Sequence, residues 1–207
     1  MRSAPAAGAQ PRTRTRAAAS LLLVALAGCV SAPPSKPPPS MPWAQRRTQL
    51  QTLDPFGLSG RVAVAAGREG FSAHLSWEQR GARSTVQLNG PLGIGGIHVV
   101  AEGDTLNVEN AQGRQLASAE ARDELRAKLG FDPPLTSLRY WVLGVPDPGM
   151  PSMETIGADQ RLEALEQDGW QIIYSDYMSA GGNWLPQRLA LHRGDVRVRL
   201  IVDEWQP

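Results

Sequence analysis

The sequence predicts a mainly antiparallel β fold with a few short α-helices, in which one sheet face is apolar and the helices cover it only in part. Three observations lead there. Six short runs of alternating apolar and polar residues fall within about sixty residues, from Leu58 to Leu116, most of them separated by glycine-containing turns. A second alternating series follows at Trp170 to Tyr177, Leu189 to Leu191 and Val196 to Val202. Only two or three stretches have helical spacing, which argues for a meander rather than a layout of alternating helices and parallel strands.

The first 28 residues stand apart from the fold. Arg2, Arg12, Arg14 and Arg16 precede an apolar run from Ala17 to Ala27, the layout of a secretory signal. The run is too short to span a bilayer and ends in Leu26-Ala27-Gly28-Cys29, small residues before the only cysteine of the chain. This is the pattern of a bacterial lipobox, in which the signal is cut before the cysteine, the thiol takes a diacylglycerol and the freed amine is acylated. An ordinary signal followed by an incidental cysteine is the alternative. The expected organisation is a cleaved lipoprotein signal peptide at 1–28, a lipidated Cys29 with a proline-rich tether at 29–42, and a single domain at 43–207. Val30 follows the cysteine; in lipoproteins of this kind an aspartate there commonly marks retention in the inner membrane, so its absence points to the outer membrane.

A lone cysteine excludes a disulfide framework and a cysteine metal site, so stability must come from packing. The 207-residue chain carries 21 basic and 20 acidic residues; without the four signal arginines, 17 basic residues face 20 acidic ones, a net charge of about −3. A nucleic-acid partner is thereby disfavoured. From Val30 to Pro42 six prolines and scarcely any large apolar group favour an extended, solvated tether of ~3.1 Å per residue.

In the domain, Trp43, Leu50 and Leu53 share one side of a short helix predicted from about Pro42 to Leu53, which Asp54-Pro55 ends because a residue before proline is pushed out of the helical region. Leu58 to Ala66 alternates and Gly67 to Gly70 turns. Phe71, Ala73, Leu75 and Trp77 then face one way while Ser72, His74, Ser76 and Glu78 face the other. After a turn at Gly81, Val86 and Leu88 oppose Thr85, Gln87 and Asn89; the loop "NGPLGIGG" follows, and Ile97 and Val99 resume the alternation. Leu106 with Val108 and a run containing Leu116 complete the series. Ser118 is the expected N-cap of a helix from Ala119 to Leu129 that stops at Gly130. A second helix is suggested by Leu138, Trp141 and Val142, ending at Gly144, and "GVPDPGMPSM" reads as loop. Residues 160–167 suit a helix through Leu162 and Leu165, yet Asp168-Gly169 is a hairpin signal, so two paired strands are expected there. A final hairpin turns at Gly194-Asp195. A strongly curved sheet under so few helices can leave a concave apolar cavity, although a fully packed core has the same pattern.

Catalytic and metal-binding patterns are weak. "GFSAH" approaches a nucleophile elbow, but His74 stands in place of the second glycine and no helix follows Ser72. His74, His98 and His192 share no metal-ligand spacing and suit strand positions. "GPLGIGG" departs from dinucleotide-binding spacing and leads into a strand, so no helix N-terminus faces a phosphate there. Lys36 and Lys128 are the only lysines and neither lies in a glycine-rich loop, so no ATP handling is expected. No catalytic residue, metal or cofactor is expected beyond the covalent N-acyl and S-diacylglycerol lipid on Cys29.

The lipobox, the early Trp43, "SGRVAV", "SWEQRG", "NGPLG", "SLRYWVLGVP", and "WQIIYSDY" followed by "LPQRLAL" resemble, in this order, the outer-membrane lipoprotein receptor family LolB. The resemblance runs from Cys29 almost to Trp205. It implies a half-open β-barrel closed by helices around an apolar cavity. It implies a monomeric, ATP-independent receptor, anchored in the inner leaflet of the outer membrane and facing the periplasm. Such a receptor accepts lipoprotein cargo from a LolA-like periplasmic carrier and places it in that membrane. A buried seat is physically required, because an acyl chain in water costs ~0.8 kcal/mol per methylene. Candidate lining residues are Val62, Val64, Phe71, Leu75, Trp77, Val86, Leu88, Ile97, Val99 and Trp141. The resemblance also gives Leu92 as the exposed leucine of a protruding membrane-insertion loop; Ile94 and two further glycines are a departure from relatives that are often more polar there. A Leu92 folded back onto the core is the alternative. Two other readings stay open at this level: a lipid-anchored periplasmic esterase using Ser72, and a structural envelope lipoprotein on a proline stalk.

Overall fold

A computed structural model describes residues 41–90 and 96–207. The chain first forms α1 (Trp43–Gln51), which buries Leu50 and leans Trp43 on the main core, as does Leu53 just beyond it. The helix ends short of Asp54-Pro55, as the pre-proline restriction requires. It is held from outside by polar contacts: Trp43 Nε1 donates to Glu154 at 2.8 Å, Arg47 pairs with the same carboxylate at 3.0 Å, and Gln51 donates to the Pro146 carbonyl at 2.9 Å.

A six-stranded antiparallel meander follows, β1 (Phe56–Ala66), β2 (Glu69–Arg80), β3 (Arg83–Asn89), β4 (Ile97–Glu102), β5 (Thr105–Glu109) and β6 (Gln115–Ala117). Two helices come next, α2 (Ser118–Leu129) and α3 (Leu135–Trp141). A second antiparallel meander returns through β7 (Met153–Ile156), β8 (Leu162–Gln167), β9 (Trp170–Ala180), β10 (Asn183–Arg193) and β11 (Val196–Gln206). The two meanders are joined by the pairing of β11 with β1, which sets Val62 against Leu200 and Val64 against Val198. The result is one eleven-stranded sheet in the order β6-β5-β4-β3-β2-β1-β11-β10-β9-β8-β7. It is an open, curled, antiparallel sheet, since β6 and β7 are its ends and α2 and α3 are the chain between them.

Burial follows the pleat. Along β2, Ala73, Leu75, Trp77 and Gln79 are buried and the residues between them exposed, because successive side chains leave a strand on opposite faces. The inward side chains form a main core around Trp141, Trp170, Leu185 and Val202, and a smaller cluster in which Ala121 and Leu125 of α2 pack on Ile97, Val99, Leu106, Val108 and Leu116.

Residues 160–167 resolve in favour of the hairpin: β8 pairs with β9 through Asp168 and Gly169, at φ +50° and +72°, the positive values a two-residue turn of this hand needs. Two local expectations are corrected. Ser118 is not the N-cap of α2 but its first residue, at φ +54°, and the preceding Ala117 offers no side-chain oxygen, so that end carries no side-chain cap. Gly130 does stop the helix, at φ +79° with its N–H on the Arg126 carbonyl. The stretch expected to be loop through Met153 ends one residue earlier, because Met153–Ile156 pairs with β8; four residues at a sheet edge are too short to carry a clear alternation.

Candidate functional site: an apolar cavity under α2 and α3

The cavity arises where the inward faces of the two meanders meet beneath the helical segment. Its walls are Val62 and Val64 on β1, Leu75 and Trp77 on β2, Val86 and Leu88 on β3, Val99 on β4, Leu189 and Leu191 on β10, and Val198 and Leu200 on β11. Trp170, the first residue of β9, completes them. The roof is Leu125 and Leu129 of α2, the linker residues Phe131, Pro133 and Pro134, Leu135 and Leu138 of α3, and Val142 beyond it. Every lining residue is apolar. Strand register explains the continuity: Leu75 pairs with Leu88, Trp77 with Val86, and Val86 in turn with Val99, so inward residues stand side by side across neighbouring strands.

The cavity is partly open and has a volume of about 120 Å³, well above the minimum that one water needs. An apolar space of this kind has no polar groups with which to hold water, so it favours hydrocarbon.

The roof is anchored at one end by a buried polar knot. Gln167 Oε1 accepts from Trp141 Nε1 at 2.8 Å and from the Asp147 N–H at 2.9 Å; its Nε2 donates to the carbonyls of Asp147 and Met150 at 2.9 and 3.0 Å. Ser137 donates to Asp147 Oδ2 at 2.8 Å, and Tyr174 donates to the Trp141 carbonyl at 2.9 Å. Burial pushes the Tyr174 hydroxyl well above its usual pKa, so it stays a neutral donor. At the other end, Arg126 pairs with Asp132 at 2.7 Å in solvent, where ion pairs contribute little. Between these ends the linker meets the wall through Phe131, whose ring centroid is 5.6 Å from that of Trp170.

Of the candidate lining residues, Val62, Val64, Leu75, Trp77, Val86, Leu88 and Val99 are brought together in this cavity. Phe71, Ile97 and Trp141 are not. Phe71 lies half-buried opposite Val64, Ile97 belongs to the smaller cluster under α2, and Trp141 is fully buried in the knot. Sequence reasoning missed Trp170, the second-meander wall and the whole roof. Alternation at Leu189, Leu191, Val198 and Leu200 was a usable signal; nothing in the pattern of Phe131, Pro133 and Pro134 set them apart from ordinary loop. Cys29, Leu92 and Ile94 lie outside the described residues.

The decoy residues sit elsewhere. Ser72 and His74 are exposed on β2, and His192 is exposed on β10, all on the outward face; His98 is on β4. Among the described residues no three side chains are placed to hold a metal ion, and no helix is long and apolar enough to cross a membrane.

An open curled sheet roofed by short helices is a fold that solved structures share. A LolA superfamily protein from Nitrosomonas europaea superposes with a TM-score of 0.51 at 10% identity, over 80% of this chain and 93% of that one. The particular family is set by sequence. The profile of the outer membrane lipoprotein LolB family matches residues 54–205. Proteins named outer-membrane lipoprotein LolB from Pseudomonas aeruginosa and Pseudomonas putida are 41% and 40% identical over 167 residues, covering 80% of both chains in each case. The chain belongs to the LolB family, whose members serve lipoprotein localisation at the outer membrane as receptors rather than as enzymes.

Proposed function

We propose that this protein accepts lipoproteins from a LolA-like periplasmic carrier, seats their acyl chains in the apolar cavity, and delivers them to the periplasm-facing leaflet of the outer membrane without ATP. The observation that carries this reading is the wholly apolar lining beneath α2 and α3. Hydrocarbon burial is non-directional and scales with area, so a donor, this cavity and a bilayer can be ordered by affinity alone, and cargo runs downhill through them.

The volume sets a condition. A space of about 120 Å³ is smaller than the ~300–1,000 Å³ of ordinary ligand sites. Uptake of whole chains therefore requires the roof to lift. The knot around Gln167 favours the C-terminal end of α3 as the fixed side, and the Phe131 contact with Trp170 as the side that parts. In this reading residues 1–28 are removed, Cys29 carries the lipid, residues 29–42 tether the domain, and Leu92, with Ile94 beside it, meets the membrane.

The test is transfer in solution. A Cys29→Ala protein made without its signal is incubated with a cargo-loaded LolA-like donor, and cargo is followed by co-purification. Movement of cargo to the receptor is expected; cargo that stays on the donor would refute the reading.

A further inference from the structure

Trp77, Trp141, Trp170 and Trp205 are the buried tryptophans among the described residues. Three of them donate their indole N–H: Trp77 to Gln79 at 3.3 Å, Trp141 to Gln167 at 2.8 Å, and Trp205 to the Pro186 carbonyl at 2.9 Å. Trp170 is the exception. It is 2% exposed, and its Nε1 is buried without a partner among the described residues. Native interiors pair nearly all such donors, so an unpaired one calls for an explanation.

The position of Trp170 suggests one. On one side it lines the apolar cavity. On the other it lines an open groove of mixed polarity, about 700 Å³ in volume, at the end of the β8–β9 hairpin, with Met153, Glu166, Gly169, His192 and Arg193. The Arg193 guanidinium lies 5.8 Å from the centroid of the Trp170 ring. An acylated cysteine presents the same order of chemistry: hydrocarbon, then a carbonyl, then a polar glyceryl and peptide backbone.

We propose that Trp170 recognises the carbonyl at the head of a cargo acyl chain. Its indole N–H donates to an ester oxygen of the diacylglyceryl group, while the chains lie in the cavity and the glyceryl-cysteine backbone lies in the groove. This rests on the receptor reading above. It adds what an apolar pocket cannot supply: hydrocarbon contacts slide, whereas one directional donor sets how deep a chain sits and distinguishes an acyl chain from a plain alkyl chain.

Two synthetic lipopeptides with a free α-amine and identical chains test it, one with ester linkages and one with ether linkages. Their affinities are measured by calorimetry for the domain and for Trp170→Phe, and the readout is the ester-to-ether ratio. A ratio of about fivefold is expected for the native domain, the weight of one neutral hydrogen bond, falling to about one in Trp170→Phe. In the native domain the Trp170 indole N–H resonance should move downfield with the ester peptide and not with the ether peptide, a result that does not depend on how the variant folds. Equal ratios in both proteins, or an indole resonance indifferent to the linkage, would overturn the assignment while leaving the receptor reading intact. Failure of the native domain to bind either peptide would overturn both.

Discussion

The ring of Phe131 meets that of Trp170 at 5.6 Å with a 58° tilt, so a tilted aromatic pair joins the linker between α2 and α3 to the start of β9. Phe131→Ala is expected to lower stability by about 1–3 kcal/mol, less than a fully buried phenylalanine would, because the ring is only half-buried. It should also speed entrance of an apolar fluorescent dye, measured by stopped flow. A loss of stability with an unchanged dye rate would show that this pair does not gate the cavity.

Gln167 satisfies two donors and two carbonyls at once, all in the buried knot under α3. Gln167→Ala leaves these groups unpaired, and at roughly 1–3 kcal/mol for each group that finds no water, a total loss of about 3 kcal/mol is expected. Urea denaturation measures it. A loss below 1 kcal/mol would mean that the knot is not what fixes the C-terminal end of α3.

Asp159 gives a pH signature. Hydrogen bonding from the Arg161 side chain, opposed by a smaller burial effect, holds its carboxyl below the usual carboxylate range. A depressed folded-state pKa contributes stability above the unfolded value of ~3.9, and that contribution fades as pH falls through the lower folded value. The carboxylate is half exposed, so its weight is about 0.5 kcal/mol. Asp159→Asn should therefore melt slightly lower than the native protein at pH 6, with the gap narrowing as pH falls below about 4. Arg161 also stacks on Tyr177 and Trp184, each at 4.9 Å, which keeps the guanidinium in place in the variant and the difference small. A gap that widened on acidification would contradict this sign.

Leu92 is proposed as the tip that touches the membrane. Leu92→Glu should leave cargo uptake from the donor near the native level and slow release to liposomes about tenfold, since a carboxylate resists leaving water. Equal loss of both steps would argue against a separate insertion role.

Much of the site was legible because sheet pleating is local. In Phe71-Ser72-Ala73-His74-Leu75-Ser76-Trp77 the period of two selects the inward face without knowledge of any neighbour, and Leu75 and Trp77 do line the cavity. The same rule could not separate Phe71 or Ile97 from them, because alternation names a face and not a depth along it. Trp141 shows the opposite failure: its apolar ring suited a cavity wall, yet its N–H is held by Gln167, twenty-six residues on, a partner that no local pattern announces.

The residues alone determined the antiparallel class, most of the turns, the hairpin at Asp168-Gly169 and the apolar face of the longer strands, all set by neighbours within a few positions. Only the tertiary structure decided that β11 lies against β1, which brings Val198 and Leu200 beside Val62 and Val64 across more than 130 residues of chain. Only it decided, too, that the roof leaves about 120 Å³ unfilled and one indole N–H unpaired. Those outcomes depend on how side-chain volumes and donors from distant segments sum at one place, and a sequence states each contribution without stating the sum.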